Sequence, residues 1–238
     1  MNNEPDIAFP YKPPSEEIKL KYRDIFEIQK PLKPRLLKTI FDKFFSSICL
    51  FFAIPIMLVL KIMYIFEGIF INDSKGPLIF YYKAVSSGEH IKKYKIRIIK
   101  TKFIDSKLAS EGDWHAYKKE WTPESRTNIG KFVKAFYLDE LPQFWSIFIG
   151  DMSFVGPRPL AVHHYERDLA QGNVSRKLIK GGLLGLGHIH KGTEQMGRPD
   201  FEYEYINTYI NGSSLELLLL DLNILWKGLL LVIRGKGL

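Results

Sequence analysis

The 238-residue sequence has a single cysteine, Cys49, set inside an apolar run. That excludes a disulfide framework and a cysteine-based zinc site. Its glycines form no nucleotide fingerprint: Gly185-Leu186-Gly187 is too short and lacks the strand–turn–helix setting such a motif needs. There is no internal repeat and no low-complexity tract. The first 35 residues are polar and rich in proline, so nothing there reads as a cleavable signal peptide. Acidic residues are the minority, 26 against 34 basic ones, and the formal charge is +8. That balance suits anionic partners (phospholipid surfaces, nucleotides or nucleic acid) without choosing among them. Hydrophobic residues at 46% and aromatics at 14% allow a buried core and exclude global disorder.

The apolar character is concentrated. Residues 1–37 hold six prolines and mixed charge, which predicts an exposed or loosely docked arm with a short helix from about Ser15 to Ile28. Residues 38–71 are different: Phe44 to Leu60 carries no charge, and the apolar run continues to Phe66. At about 1.5 Å per residue this reaches across a hydrocarbon core of roughly 30 Å. Pro55, near the middle, removes a helical hydrogen bond and predicts a kink or break. Both flanks are basic: Lys30, Lys33, Arg35, Lys38 and Lys43 before the run, and Lys75, Lys83, Lys92, Lys93, Lys95, Arg97, Lys100 and Lys102 after it. A spanning helix carries its positive charge on one side. Two basic flanks favour a re-entrant helix that enters and leaves by the same leaflet, over a simple span or the buried helix of a soluble protein.

Residues 72–238 read as mixed α/β and mostly helical. Leu78–Tyr82 and Tyr94–Ile99 are strand-like, and the aromatic, polar Trp114–Trp121 stretch is a loop or helix. From Leu215 to Ile233 the chain is again apolar, with Glu216, Asn223, Lys227 and Arg234 on one narrow face of a helix. That pattern suits an amphipathic helix lying in the membrane interface; a docked core helix is the alternative. Asp221 lies on the opposite side and is expected to point into protein.

The chemistry-bearing block is Leu138-Asp139-Glu140-Leu141-Pro142-Gln143, followed by Gly150-Asp151-Met152-Ser153-Phe154-Val155-Gly156-Pro157-Arg158-Pro159. Two carboxylates precede a proline that a first helical turn tolerates, with the helix running on through Phe144, Trp145 and Ile147. Carboxylates at such a terminus are stabilised as anions. An ionised aspartate there can attack phosphorus, and its neighbour can hold a divalent cation. Lys131, Lys134 and Arg158 supply positive charge for phosphates. On these residues alone the plainer reading, Asp139 as an N-cap and Glu140 as a first-turn acid, stands beside the catalytic one.

The whole string LDELPQFWSIFIGDMSFVGPRP closely resembles the signature of the bacterial sugar transferases, the monotopic polyprenyl-phosphate phosphoglycosyl transferases. The resemblance extends in order from Leu37-Lys38 and Asp42, through the run broken by Pro55, to Ser74-Lys75-Gly76-Pro77-Leu78-Ile79-Phe80, Tyr94-Lys95-Ile96-Arg97, Arg126 with Ile129-Gly130, Gly197-Arg198 and the Asp221-containing tail. It implies a membrane-associated α/β domain at the bacterial inner (cytoplasmic) membrane, facing the cytoplasm. It also implies an enzyme that moves a sugar-1-phosphate from a UDP-sugar to a polyprenyl phosphate such as undecaprenyl phosphate. Asp139 is then the nucleophile, releasing UMP and carrying the phospho-sugar, and Glu140 binds Mg²⁺. Arg158 contacts a substrate phosphate, with Lys134, Lys95, Arg97 and Arg198 as further phosphate ligands, and Asp151 is a secondary metal or structural ligand. Its partners are the donor, the acceptor and membrane lipid.

The sequence departs from the family pattern at Lys83-Ala84-Val85-Ser86-Ser87, at Ile98-Ile99, at Gly181-Gly182-Leu183-Leu184-Gly185 and at His188. These positions bear on the donor sugar and leave Asp139, Glu140 and Arg158 untouched. The pairs His163-His164 and His188/His190 lack the three or four linked ligands that zinc takes. A non-catalytic protein that binds anionic lipid through its basic flanks is the rival reading. Nucleic acid is a poor partner, since no binding motif accompanies the charge.

Overall fold

The computed structural model of the chain describes residues 9–190 and 193–233. The chain opens with α1 (Glu16–Lys21) and α2 (Arg23–Phe26). Ser15 caps α1 by accepting from the Ile18 amide, and Glu16 and Glu17 occupy its first turn, a favourable pairing with the helix dipole. From Phe9 onward the arm is not an exposed appendage. Ile18 and Ile25, one on each short helix, enter the same core as Tyr203, Tyr205 and Ile206. Upstream, the Lys12 amide donates to the Gly197 carbonyl at 2.9 Å. Gly197 sits at φ +77°, and a Cβ there would stand 1.8 Å from the Pro10 carbonyl oxygen, so only glycine admits the arm.

The apolar run forms α3 (Leu36–Phe70), a continuous helix of 35 residues. Pro55 lies inside it and does not break it. A proline deletes one hydrogen bond of the ladder, and the turns on either side keep theirs. Among the described residues α3 is the one helix long and apolar enough to cross a membrane, judged by length and composition. One narrow stripe is buried along its whole length: Lys38, Asp42, Ser46, Ala53, Leu60, Tyr64 and Gly68. The rest, including Phe44, Phe51, Phe52, Leu58, Val59, Ile62, Phe66 and Phe70, is exposed. Polar contacts tie both ends to the same body. Lys38 pairs with Asp221 at 2.6 Å, and the Asp42 carboxylate accepts from the Phe154 amide at 3.2 Å. At the other end the Tyr64 hydroxyl donates to the Arg97 carbonyl, and the Glu67 carboxylate accepts from the Asn128 amide at 2.8 Å.

A hairpin follows, β1 (Ile79–Ser86) and β2 (Glu89–Ile96), in the register Phe80↔Lys95 and Tyr82↔Lys93. Both strands overlap the strand-like runs of the sequence, though β2 starts earlier and ends at Ile96. Then come α4 (Ser106–Glu111), a 3₁₀ segment over Trp114–Trp121, α5 (Asn128–Ala135) and α6 (Gln143–Ile149). Next are β3 (Ser153–Val155), β4 (Leu160–Ala161), α7 (Val162–Ala170), α8 (Ser175–Leu178), β5 (Gly182–Leu184), α9 (Asp200–Asn211) and α10 (Ser214–Ile233). The strands make an antiparallel sheet in the order β2–β1–β4 and a small parallel pair, β3–β5. Helix dominates, and two apolar clusters fill the interior, one around α9, β3 and α10 and the other around the hairpin and the 3₁₀ segment.

Along α10 three faces alternate. Leu217, Asp221, Ile224 and Gly228 point inward. Leu215, Leu219, Leu222, Trp226 and Leu229 form an exposed apolar row, and Glu216, Asn223 and Lys227 an exposed polar one. Asp221 is buried, as its position on the helix predicts. Arg234, the fourth polar residue of the sequence pattern, lies outside the described residues.

Candidate active site

The acidic pair stands at a reversal. After α5 the backbone of Tyr137 takes a left-handed conformation (φ 56°), a strained choice for a residue with a side chain. Leu138–Glu140 then forms a single 3₁₀ turn, and Pro142 leads into α6. The pair therefore sits ahead of the helix and not in its first turn, and Asp139 caps nothing. Two lysines, in place of helix amides, meet its charge. Asp139 is 0% exposed. Its Oδ2 lies 3.1 Å from Lys95 Nζ and 3.4 Å from Lys134 Nζ. Its Oδ1 is buried without a hydrogen-bond partner.

Around this carboxylate the cations are shared. Lys95 also reaches Glu120 at 3.2 Å. Burial alone would lower the Lys95 pKa, but Glu120 and Asp139 outweigh it and hold the ammonium firmly protonated. Glu140 pairs with Arg158. Burial would raise the Glu140 pKa, yet Arg158 first, then Lys93 and Lys95, pull it well below the usual carboxylate range. Arg158 sits in the turn between β3 and β4, and its carbonyl accepts from Arg176 Nε at 3.0 Å. Arg176 is itself locked by Asp168 at 2.8 Å and Glu202 at 2.7 Å, so a buried network anchors the turn that aims Arg158.

These groups border a cavity of about 640 Å³. Its polar wall carries Lys93, Lys95, Glu120, Lys134, Glu140 and Arg158. Its apolar wall includes Cys49 of α3, Phe144 of α6, and Leu225 and Leu229 of α10. Asp139 stands directly behind the polar wall, covered by the lysines that line it.

The structure gathers Asp139, Glu140, Arg158, Lys134 and Lys95 and leaves the other candidates elsewhere. Arg97 spends its guanidinium on three carbonyls, Ser74 at 2.6 Å, Ile99 at 2.8 Å and Pro77 at 3.0 Å, and lies outside the cavity wall. It fastens the hairpin to the end of α3. Arg198 is exposed and pairs with Asp200 at 2.8 Å. Asp151 lies apart from Asp139 and Glu140; its backbone carbonyl accepts from Ser86 Oγ at 2.6 Å, and burial raises its carboxyl pKa. His163 and His164 stack with Trp114 and His115, while the His188 side chain lies outside the described residues. The sequence reading missed Lys93 and Glu120. For Lys93 the signal was available, because Lys93 and Lys95 fall on the same face of a strand by its two-residue period.

The sequence profile of the bacterial sugar transferases matches residues 33–235. The chain belongs to that family. It is 35% identical over 197 residues to a UDP-glucose:undecaprenyl-phosphate glucose-1-phosphate transferase of Klebsiella pneumoniae, covering 79% of this chain and 38% of that one. It is 32% identical to a galactosyl transferase of Streptococcus agalactiae, covering 74% and 40%, and 29% identical to an undecaprenyl-phosphate galactose phosphotransferase of Salmonella typhimurium, covering 85% and 42%. The chain thus spans less than half the length of these relatives.

Proposed function

We propose that this sugar transferase moves a sugar-1-phosphate from a UDP-sugar to undecaprenyl phosphate or a similar polyprenyl phosphate, through a covalent intermediate on Asp139. The observation that carries the reading is a fully buried carboxylate with one oxygen held by two lysines and the other unpartnered, behind a cavity lined by both cations and apolar side chains. A protein that merely adsorbed to anionic lipid would need neither feature.

The step begins when the donor's diphosphate reaches these cations. Its oxygens compete for Lys95 and Lys134, which releases and uncovers the Asp139 carboxylate. The free Oδ1 attacks the sugar-linked phosphorus, the bond to the bridging oxygen breaks, and UMP leaves with that electron pair. An oxygen of the lipid phosphate then attacks the same phosphorus, the acyl-phosphate bond breaks, and Asp139 is again a carboxylate. Arg158, Lys95 and Lys134 balance the charge that builds on the transferring group. Magnesium fits this site, since the Glu140 carboxylate on the cavity wall is a hard oxygen donor and the ion would draw its other ligands from phosphates and water. Glu140 would hold it, sharing its charge with Arg158. When bound, it neutralises the diphosphate and eases departure of UMP.

The membrane arrangement follows the same reading. A helix that crossed the bilayer would leave one end far from the cytoplasmic body, whereas α3 is bonded to it through Asp42 and through Glu67. This supports a re-entrant helix with its exposed apolar faces in one leaflet of the cytoplasmic membrane and α10 lying in the interface. The test is UMP release by membrane-bound protein across a panel of UDP-sugars, with and without undecaprenyl phosphate and Mg²⁺. Acceptor-dependent release that vanishes in Asp139→Asn supports the mechanism. Release that persists in that variant overturns it.

A further inference from the structure

Six lysines and arginines are buried among the described residues: Lys38, Lys93, Lys95, Arg97, Lys134 and Arg176. Four of them are ion-paired, with Asp221, Glu120 and Asp139, Asp139, and Asp168 and Glu202 respectively. Arg97 satisfies its fork with three carbonyls. Lys93 alone has neither arrangement. It is 1% exposed, and its Nζ donates to the Pro159 carbonyl at 3.1 Å and lies 5.9 Å from the centre of the Tyr82 ring. Of three ammonium donors, one is used.

A buried ammonium without a counter-charge is costly to the fold. Burial, with Arg158 nearby, pushes the Lys93 pKa well below the ordinary lysine value, so an entering anion would favour its charged form. Lys93 lines the cavity, one residue along the same strand face from Lys95 and beside the residue that follows Arg158. Glu140 and Glu120 act on it only from a distance, since Glu140 is paired with Arg158 and Glu120 with Lys95. An anion entering the cavity would meet two idle donors of Lys93 with Arg158 close by.

We propose that Lys93 is an anion-binding residue whose missing counter-charge is a phosphate group of a substrate. This deepens the function proposed above by assigning a specific phosphate ligand. A phosphate can arrive on the nucleotide donor or on the lipid acceptor, and the experiment separates them.

The full chain in nanodiscs is titrated with inorganic pyrophosphate, with UDP and with undecaprenyl phosphate, for the native protein, Lys93→Met, Lys93→Arg and the exposed-site control Lys107→Met. Loss of a hydrogen bond to a charged group predicts binding about 10- to 100-fold weaker in Lys93→Met. Lys93→Arg is expected to recover part of it and Lys107→Met to lose none. Weakened pyrophosphate and UDP binding assigns the subsite to the donor; weakened undecaprenyl phosphate binding alone assigns it to the acceptor. Without ligand, Lys93→Met is expected to melt no lower than the native protein, because a buried amine without a counter-charge has given way to an apolar side chain. Unchanged affinity for all three probes, or a lower melting temperature with unchanged affinity, overturns the proposal; if Lys93→Met does not fold, Lys93→Gln is read the same way. Binding of all three probes and UMP release that ignore Lys93 would sink this subsite and leave the transferase reading standing. Lys93-dependent pyrophosphate binding with no UMP release from any donor would do the reverse.

Discussion

Replacing Asp139 with asparagine separates what this carboxylate does for the fold from what it does for the reaction. Asparagine has nearly the same shape, and its side-chain oxygen can still accept from one of the two lysines. The charge that Lys95 and Lys134 share at 3.1 Å and 3.4 Å is lost. Lys95 keeps Glu120 at 3.2 Å, so it is not orphaned. Lys134 has its ammonium 5.7 Å from the centre of the Trp121 ring as its remaining favourable contact. Breaking a buried pair outright costs about 3–5 kcal/mol, and the partial compensation here brings the expected loss to about 1–3 kcal/mol. For a chain of this length each kcal/mol lowers the melting temperature by about 2–4 °C, so the variant should remain folded at 25 °C. Turnover should fall by at least about 10³-fold, the scale seen when a covalent nucleophile is removed. The assay pairs melting with UMP release, and adds intact-mass measurement of acid-quenched protein given donor without acceptor. Native protein should gain the mass of one phospho-sugar on the peptide containing Asp139, and Asp139→Asn should gain none. A variant that keeps more than a few per cent of native turnover, or a mass gain on another residue, refutes the assignment.

Three further outcomes follow from the same geometry. Glu140 and Arg158 should be coupled, so that Glu140→Gln and Arg158→Gln together cost less than the sum of the two singly, by about 1–3 kcal/mol in a double-mutant cycle on melting. Because Glu140 titrates well below its ordinary range, its stabilising charge is present above the unfolded carboxylate value of about 4.3 and is lost only as pH falls through the lower folded value. UMP release should therefore show no acid limb from Glu140 between about pH 5 and 8, which a pH–rate profile checks. At the junction of α3 and α10, Lys38→Met alone should destabilise by about 3–5 kcal/mol, and Lys38→Met with Asp221→Leu by much less. The residual cost in the pair is the Tyr205 hydroxyl, which now donates to Asp221 at 2.6 Å.

The sequence carried the long elements and the acidic pair, and the reasons differ. Seventeen uncharged residues specify α3 whatever surrounds them, and the one-faced spacing of Asp221 placed it correctly inside. The arm was misjudged because its prolines outweigh two isoleucines, yet Ile18 and Ile25 suffice to pin it to Tyr203 and its neighbours. Pro55 was read as a kink or break from its local cost, and the helix, packed along its length, runs on past the lost bond without a break. Arg97 and Arg198 looked like phosphate ligands because charge alone does not say where a guanidinium is used. Only the fold reveals that Arg97 meets three carbonyls and that Arg198 meets Asp200. Glu120 was invisible for the converse reason: it comes from a distant 3₁₀ segment and joins the site through Lys95.

The two apolar helices and the site also share a wall. Cys49 of α3 and Leu225 and Leu229 of α10 line the same cavity as Lys95, Lys134 and Arg158. On the same helices, Phe51 and Phe52 of α3 and Leu222 and Trp226 of α10 face outward and apolar. For the proposed reaction that arrangement has a direct consequence. An acceptor with an apolar tail and a phosphate head meets apolar side chains for the one and cations for the other. The nucleotide donor has no apolar tail and must come from the aqueous side. Two substrates of opposite solubility can then reach one carboxylate without either leaving its own phase, provided that α3 stays in the leaflet that faces the body of the protein. A spanning α3 would carry Glu67 and its bond to the Asn128 amide to the far side of the bilayer, away from the hairpin that bears Lys93 and Lys95. For the proposed reaction, the bonds at both ends of α3 and the cavity shared by Cys49 and the lysines favour the re-entrant topology over a span.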